Sequence, residues 1–246
     1  MKVQAARPVP ILTYHQIANA PDKPAPYRSL YVAPRDFARQ MALLQRLGYQ
    51  GLGLSALLPY LRGDKTGKVV GITFDDGYLN NLTHALPVLQ QYGFSATCYF
   101  VSRRLGHSND WDRAIGIKQT RLMGQPQVQE WVAGGQEAGA HTRTHARLQG
   151  LSKAEAQQEI AGCKLELEAV TGKPVQHFCY PFGQFDRQHV QMVQEAGYQT
   201  ATTTQRGRAR GEDALLQLPR VTVARATSLA GLWIKLATPY EDRGRR

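Results

Sequence analysis

The stretch Val69-Val70-Gly71-Ile72-Thr73-Phe74-Asp75-Asp76-Gly77-Tyr78 constrains this chain more than any other. It begins as an apolar run rich in β-branched residues, the pattern of a buried strand. It then stops on two adjacent carboxylates and a glycine. Neighbouring side chains of a strand point to opposite faces, but where the strand breaks into a loop both can turn toward one site. Asp-Gly at a strand end is equally an ordinary turn signature, so these ten residues alone leave both readings open.

A second cluster, His141-Thr142-Arg143-Thr144-His145, lies 65 residues beyond Asp76. Two imidazoles and a carboxylate are the ligand set of a catalytic zinc-type site, which keeps one coordination position open. The other aspartate would then be free to act as a base. Histidines spaced i, i+4 also suit the surface of a helix. The small and β-branched residues between them favour a loop at a strand end instead.

Along the chain, strand and helix signals alternate. Val9 to His15 reads as a first strand ending in Tyr14-His15. Residues 18–33, with three prolines and two tyrosines, read as a polar surface excursion, and Tyr27 and Tyr31 are candidates for a substrate lip. Pro34 opens a helix with Phe37, Met41, Leu44 and Leu47 at helical spacing, which Gly48-Tyr49 closes into a short strand. Ser55 to Leu61 is a short helix. Leu82, Leu86 and Leu89 predict a helix to Tyr92, and Phe94 to Val101 a strand. Residues 102–125 look irregular and contain Trp111, suited to core packing or to stacking on a sugar ring. Val128 to Gly135 is helical, and Glu137 to His141 leads into the histidine cluster. Ser152-Lys153-Ala154-Glu155 has capping-box spacing and opens a helix to about Val170. His177 to Tyr180 is a strand, Asp186 caps a helix to Gly197, and Tyr198 to Thr204 returns as a strand. Leu218 to Val223 is the last strand and Leu229 to Leu236 the last helix. This alternation, with no linker, predicts one α/β unit on a mostly parallel sheet, open or closed into a barrel. In either closure, sites gather at the C-terminal ends of the strands, where His15, Asp75, Asp76, His141, His145 and Phe182 all fall.

A chain of 246 residues carries a substantial core, and no run approaches a membrane span. Cys98, Cys163 and Cys179 lack metal-type spacing and read as buried free thiols, which favours a reducing compartment. The first eight residues lack an apolar signal core, so the expected location is cytoplasmic, at the inner membrane surface in the sharper version. The net charge of +11 raises a nucleic-acid partner, but no helix-turn-helix, finger or aromatic-basic motif accompanies it. The basic clusters are Arg206-Gly207-Arg208-Ala209-Arg210 and the tail Arg243-Gly244-Arg245-Arg246. They read as a solvated loop and a frayed tail over 237–246, or as contacts for an anionic membrane or a phosphorylated sugar carrier.

Thr73-Phe74-Asp75-Asp76-Gly77 followed by His141-Thr142-Arg143-Thr144-His145 resembles the polysaccharide deacetylases, the NodB-homology or family-four carbohydrate esterases. Ala85-Leu86-Pro87-Val88-Leu89 and Gly93-Phe94-Ser95-Ala96-Thr97 resemble the segment after that family's first motif. The resemblance implies a distorted (β/α) barrel of about seven parallel strands that removes N- or O-acetyl groups from glycans with one divalent metal, zinc, nickel or cobalt. Transferred by position, it makes Asp75 the catalytic base and Asp76, His141 and His145 the metal ligands. Tyr180-Pro181-Phe182-Gly183 resembles the third motif, whose backbone amide after the proline helps hold the oxyanion; Tyr180, Pro181 and Phe182 are its candidates here. Two departures stand out. Cys179 occupies the position of an arginine that orients the base, for which Arg220 is the substitute expected here. No histidine follows His189, where the family places its general acid. Leu12-Thr13-Tyr14-His15 resembles a subgroup in which an early histidine takes that role. The expected substrate is an N-acylated amino sugar, in a polymer or a lipid-linked precursor, and a deformylase of lipid-linked amino sugars is a narrower version of this reading. The rival readings are an allantoin-like amide hydrolase and a catalytically inactive carbohydrate-binding homologue.

Overall fold

A computed structural model describes residues 7–245. Met1 to Ala6 and Arg246 lie outside the described residues, and with them most of the N-terminal segment read above for a signal. The strands are β1 (Ile11–Tyr14), β2 (Gln16–Ile17), β3 (Tyr31–Val32), β4 (Gln50–Leu52), β5 (Val69–Phe74), β6 (Thr97–Phe100), β7 (Glu137–Ala140), β8 (His177–Cys179), β9 (Thr200–Arg206) and β10 (Leu218–Thr222). The helices are α1 (Pro34–Arg46), α2 (Leu54–Leu61), α3 (Leu86–Gln91), α4 (Gln125–Ala133), α5 (Lys153–Thr171), α6 (Arg187–Glu195) and α7 (Leu229–Ala237).

The main sheet runs β1-β10-β9-β8-β7-β6-β5-β4, every pairing parallel, and β1 also pairs with β5. That extra pairing closes a barrel of seven parallel strands and leaves β4 outside the ring. Register shows how β5 holds three neighbours. β1 pairs with Gly71 to Phe74, β4 with Val69 to Gly71, and β6 with Thr73 and Phe74. Since β1 overlaps both of the others, β4 and β6 share the opposite edge, end to end. This is the distorted (β/α) barrel that the resemblance implied.

Strand alternation then sorts side chains. Leu12, Tyr14, Ile72 and Phe74 face the helical layer and are fully buried in the main core cluster. Tyr14 and Phe74 pack with Phe37 of α1, and Phe74 meets Trp131 of α4 edge-on at 5.8 Å. Their chain neighbours Thr13, His15, Thr73 and Asp75 face the barrel interior, where the Thr13 and Thr73 hydroxyls lie 3.1 Å apart. The outward aromatic wall fixes which way the inward residues aim. Phe74→Ala would remove ~3–5 kcal/mol of packing and that registration together.

Helix signals are borne out where they rest on local chemistry. Ser152 and Glu155 form the reciprocal capping box of α5, and Gly172 ends it in a left-handed conformation. Asp186 caps α6. The predicted helix from Leu82 is instead a π-helical turn over Asn81–Ala85 running into α3. Pro87 lacks an N–H and cannot complete a regular ladder there.

Two expectations need correction. Residues 18–33 are not only a surface excursion: β3 pairs with β2, Tyr31 is buried, and Tyr27, Leu30 and Tyr31 wall the central cavity. Nor is the C-terminal tail frayed. Glu241 is buried and binds Arg206 and Lys235, Asp242 binds Arg208, and Arg245 binds Asp213. The basic run is thus largely neutralised by the segment read as loose. Cys98, Cys163 and Cys179 are buried and free, as expected. No helix among the described residues is long and apolar enough to cross a membrane.

Candidate active site

β5 ends in an abrupt change of backbone direction. Asp75 still donates its amide to the Tyr14 carbonyl at 2.9 Å, extending the pairing with β1. Asp76 and Gly77 then take left-handed conformations, φ 73° and 75°. A side chain at Gly77 would also collide with Phe100, its Cβ only 2.6 Å from Cδ1. The left-handed conformation costs Asp76 ~1–2 kcal/mol, and it brings both carboxylates into one cavity with different neighbours. Thr142, His145 and Phe182 also have positive φ, so four of the five such non-glycine residues among the described residues lie in the strand-end motifs around these carboxylates.

Asp75 belongs to Arg220. The guanidinium donates Nη1 to Oδ1 and Nη2 to Oδ2, each at 2.7 Å, a bidentate pair between two buried side chains. Its other donors go to the Thr203 carbonyl (2.9 Å), Thr73 Oγ1 (3.2 Å) and Cys179 Sγ (3.2 Å). All five N–H groups are satisfied. Burial pushes the Asp75 carboxyl up, but the Arg220 charge and its hydrogen bonds outweigh that and hold it below the ordinary carboxylate value. The guanidinium that the sequence lacks at Cys179 therefore arrives from β10, and the thiol accepts one of its bonds.

Asp76 belongs to the histidines. Its Oδ1 lies 3.5 Å from His141 Nε2 and 3.3 Å from His145 Nε2, all three side chains buried. Ligands of one tetrahedral ion at ~2.1 Å stand about 3.4 Å apart, so this donor set fits a divalent cation. Burial raises Asp76, yet hydrogen bonds from both imidazoles bring it well below the usual range. Burial lowers His145 despite Asp76. For His141 burial also lowers, but Cys179 and Asp76 outweigh it and the net shift is upward. His141 Nδ1 lies 2.8 Å from the Cys179 carbonyl, the outer support that ligating histidines usually have. His145 Nδ1 is buried without a partner; its ring is held between Trp111, stacked at 4.4 Å, and Phe182, edge-on at 4.6 Å.

His15 faces the same cavity from β1, Nε2 3.8 Å from Asp75 Oδ2 and partly exposed. After Pro181 the chain turns at Phe182, φ 58°, and Gly183, where a Cβ would come within 1.9 Å of Thr204 Oγ1. Tyr180 lines the cavity, but its hydroxyl donates to the Leu216 carbonyl at 3.1 Å and its ring stacks on Phe185. That hydroxyl is committed to the fold. The cavity holds about 260 Å³ and is lined by His15, Asp75, Asp76, His141, His145, Tyr180, Phe182 and Arg220, while Pro181 is buried in the turn between Tyr180 and Phe182. Sequence reasoning missed Thr203 and Asp112, which also line it, and Thr73, whose hydroxyl accepts from Arg220. None carries a local motif. Of the remaining histidines, His177 and His189 are buried and hydrogen-bonded, and His84 and His107 are exposed.

A seven-stranded parallel barrel with a buried Asp-His-His cluster and a separate arginine-paired aspartate at its strand ends defines a barrel hydrolase with a metal-type centre. The family described as polysaccharide deacetylase matches residues 62–201. A Bacillus subtilis protein named as a polysaccharide deacetylase, YxkH, is 30% identical over 226 residues, covering 91% of this chain and 74% of its own. The crystal structure of a polysaccharide deacetylase from Bacillus cereus superposes with a TM-score of 0.79 at 30% identity, covering 94% of this chain and 69% of that one. A Streptococcus pyogenes deacetylase solved with acetate shares the fold, with a TM-score of 0.81 at 24% identity over 93% of this chain and 98% of that one. The chain belongs to the polysaccharide deacetylase family, hydrolases of carbon–nitrogen bonds other than peptide bonds.

Proposed function

We propose that this protein hydrolyses the N-acetyl group of an amino sugar in a glycan or glycan precursor, with Asp75 as base and His15 as acid. The observation that carries this is the separation of two adjacent carboxylates into different electrostatic partnerships, Asp76 with two imidazoles and Asp75 with Arg220. Amide hydrolysis needs that division, since a water must lose a proton while the carbonyl is polarised. Asp76, His141 and His145 would hold a divalent cation, zinc by donor type with nickel or cobalt as alternatives, which when bound acidifies water and polarises the acyl oxygen.

The chain's own residues do the rest. Asp75, held ionised and oriented by Arg220, accepts the proton of the attacking water. The backbone amide of Phe182 donates to the oxygen that gains charge. His15 delivers a proton to the sugar nitrogen as the C–N bond breaks, so acetate and a free amine leave. An imidazole suits that task, since its ring nitrogen can hold a proton and hand it on to the leaving nitrogen. Trp111, Tyr27 and Tyr31 wall the cavity and offer apolar faces to a sugar ring.

Acetate release from N-acetylglucosamine oligomers by the metal-reconstituted enzyme tests the reading. Metal binding with no acetate or formate released from any amino-sugar substrate, but turnover of allantoin-like amides, would sink it in favour of the rival. A narrower reading places the substrate on a lipid-phosphate carrier at the cytoplasmic face of the inner membrane, supported by the net charge of +11. An anionic surface contributes ~1 kcal/mol per nearby arginine. Co-sedimentation with liposomes that ignores anionic lipid and salt would remove it.

A further inference from the structure

The loop that carries the two histidines is held from outside the site. Thr142 and His145 both have φ 63°, a left-handed conformation that is costly for any residue with a Cβ and most of all for β-branched threonine. Something must over-determine a backbone held that way. Glu159 on α5 supplies it: Oε2 accepts the amides of Arg143 (2.8 Å) and Thr144 (2.9 Å), and Oε1 accepts the Thr144 hydroxyl (2.9 Å). Seven residues on and on the same helix face, Glu166 accepts the Arg143 guanidinium at 2.9 and 2.7 Å and the Ser102 hydroxyl at 2.6 Å. α5 is a rigid platform for this grip, with its capping box at one end and Ile160, Cys163 and Leu167 buried along its inner face.

The two imidazoles do not depend on that grip equally. His141 follows directly on β7 and has its Nδ1 against the Cys179 carbonyl. His145 has no hydrogen bond on Nδ1, and only aromatic faces flank its ring. Ring stacking tolerates sliding and tilting, whereas a hydrogen bond fixes direction. The aim of His145 Nε2 at Asp76 therefore depends on where the backbone of residues 142–145 is held.

We propose that Glu159 is a positioning residue for the metal centre, its carboxylate clasping the strained 142–145 loop so that His145 converges on Asp76. The inference rests on reading Asp76, His141 and His145 as metal ligands. Loss of an outer support of this kind typically weakens metal binding ~10–100-fold.

The test is zinc affinity of the metal-stripped protein, titrated against a chromophoric chelator, with the thermal midpoint of the metal-free protein measured alongside. Glu159→Ala should bind zinc ~10–100-fold more weakly while the metal-free midpoint moves little. Glu159→Gln should recover most of the affinity, because its carbonyl can accept both amides and its NH₂ can donate to Thr144 Oγ1. Thr144→Val removes one contact of the three and should weaken zinc binding several-fold; it carries the test if Glu159→Ala does not fold. Parent-like affinity in both Glu159→Ala and Thr144→Val overturns the proposal. A fall in the metal-free midpoint with unchanged zinc affinity also overturns it, since that marks a purely structural role. A parent protein that binds no zinc, nickel or cobalt overturns the ligand reading itself, an outcome distinct from either.

Discussion

Replacing Arg220 with methionine tests the central electrostatic claim. The side chains of Arg220 and Asp75 are 2% and 5% exposed, and the fork between them is bidentate at 2.7 Å. Methionine fills much of the same volume without charge or donors. It would leave the Asp75 carboxylate buried and orphan the Thr203 carbonyl. Breaking a buried pair by removing one partner costs ~3–5 kcal/mol, because the remaining charge is uncompensated. In a domain of this size each kcal/mol moves the thermal midpoint by ~2–4 °C, so the expected fall is about 6–20 °C in metal-free protein. The double variant Asp75→Asn/Arg220→Met should recover part of that loss, since neither charge remains. Catalysis should respond in a defined direction. Arg220 is what holds the Asp75 carboxyl below its ordinary value, so without it burial raises the carboxyl. The acidic limb of the pH–rate profile then moves to higher pH. Unfolding within ~1 kcal/mol of the parent, additive single losses in the double variant, and an unmoved acidic limb would together refute the reasoning.

Other expectations follow from the same geometry. His15→Ala should keep fold and metal while kcat on the amide falls ~10²–10⁴-fold, with a much smaller loss on an activated ester whose leaving group needs no proton; equal losses on both would assign His15 to positioning. Asp76→Ala, His141→Ala and His145→Ala should each lower metal content and activity, whereas Asp75→Asn should keep the metal and lose turnover; elemental analysis decides, and an Asp75→Asn protein without metal would reverse the assignment. His177 is buried between Ser55 and Thr200 with its pKa pushed down to about 4, chiefly by burial. The unfolded chain therefore binds a proton between about pH 6.5 and 4 that the folded chain refuses. Stability should be full above that window and fall by about 3 kcal/mol as pH drops through it. His177→Gln should flatten that segment of a urea-denaturation pH series, and an unchanged slope would count against the buried neutral imidazole.

Much of the fold was legible because its signals are local. The apolar run into Asp75-Asp76-Gly77, the capping box at Ser152, the Asp186 cap and the glycines closing the helices after α1, α5 and α6 each depend on a few neighbouring residues. Both halves of the metal-type cluster were legible for the same reason, as short motifs whose residue types state their chemistry. Only the tertiary structure decided what those motifs meet. Arg220 reaches Asp75 across 145 residues because β1–β5 pairing closes the ring and sets β10 and β5 on either side of β1. That closure, and the displacement of β4 from the ring, depend on register between distant strands, which no local periodicity encodes. Arg206, Arg208 and Arg245 looked free because their carboxylates, Glu241, Asp242 and Asp213 respectively, become partners only once the C-terminal segment folds back on the 206–213 loop. Glu159 looked like any helix-surface carboxylate; the strained loop laid against it gives it a task. Local chemistry wrote the functional groups into the sequence, while long-range register and burial decided which charges pair.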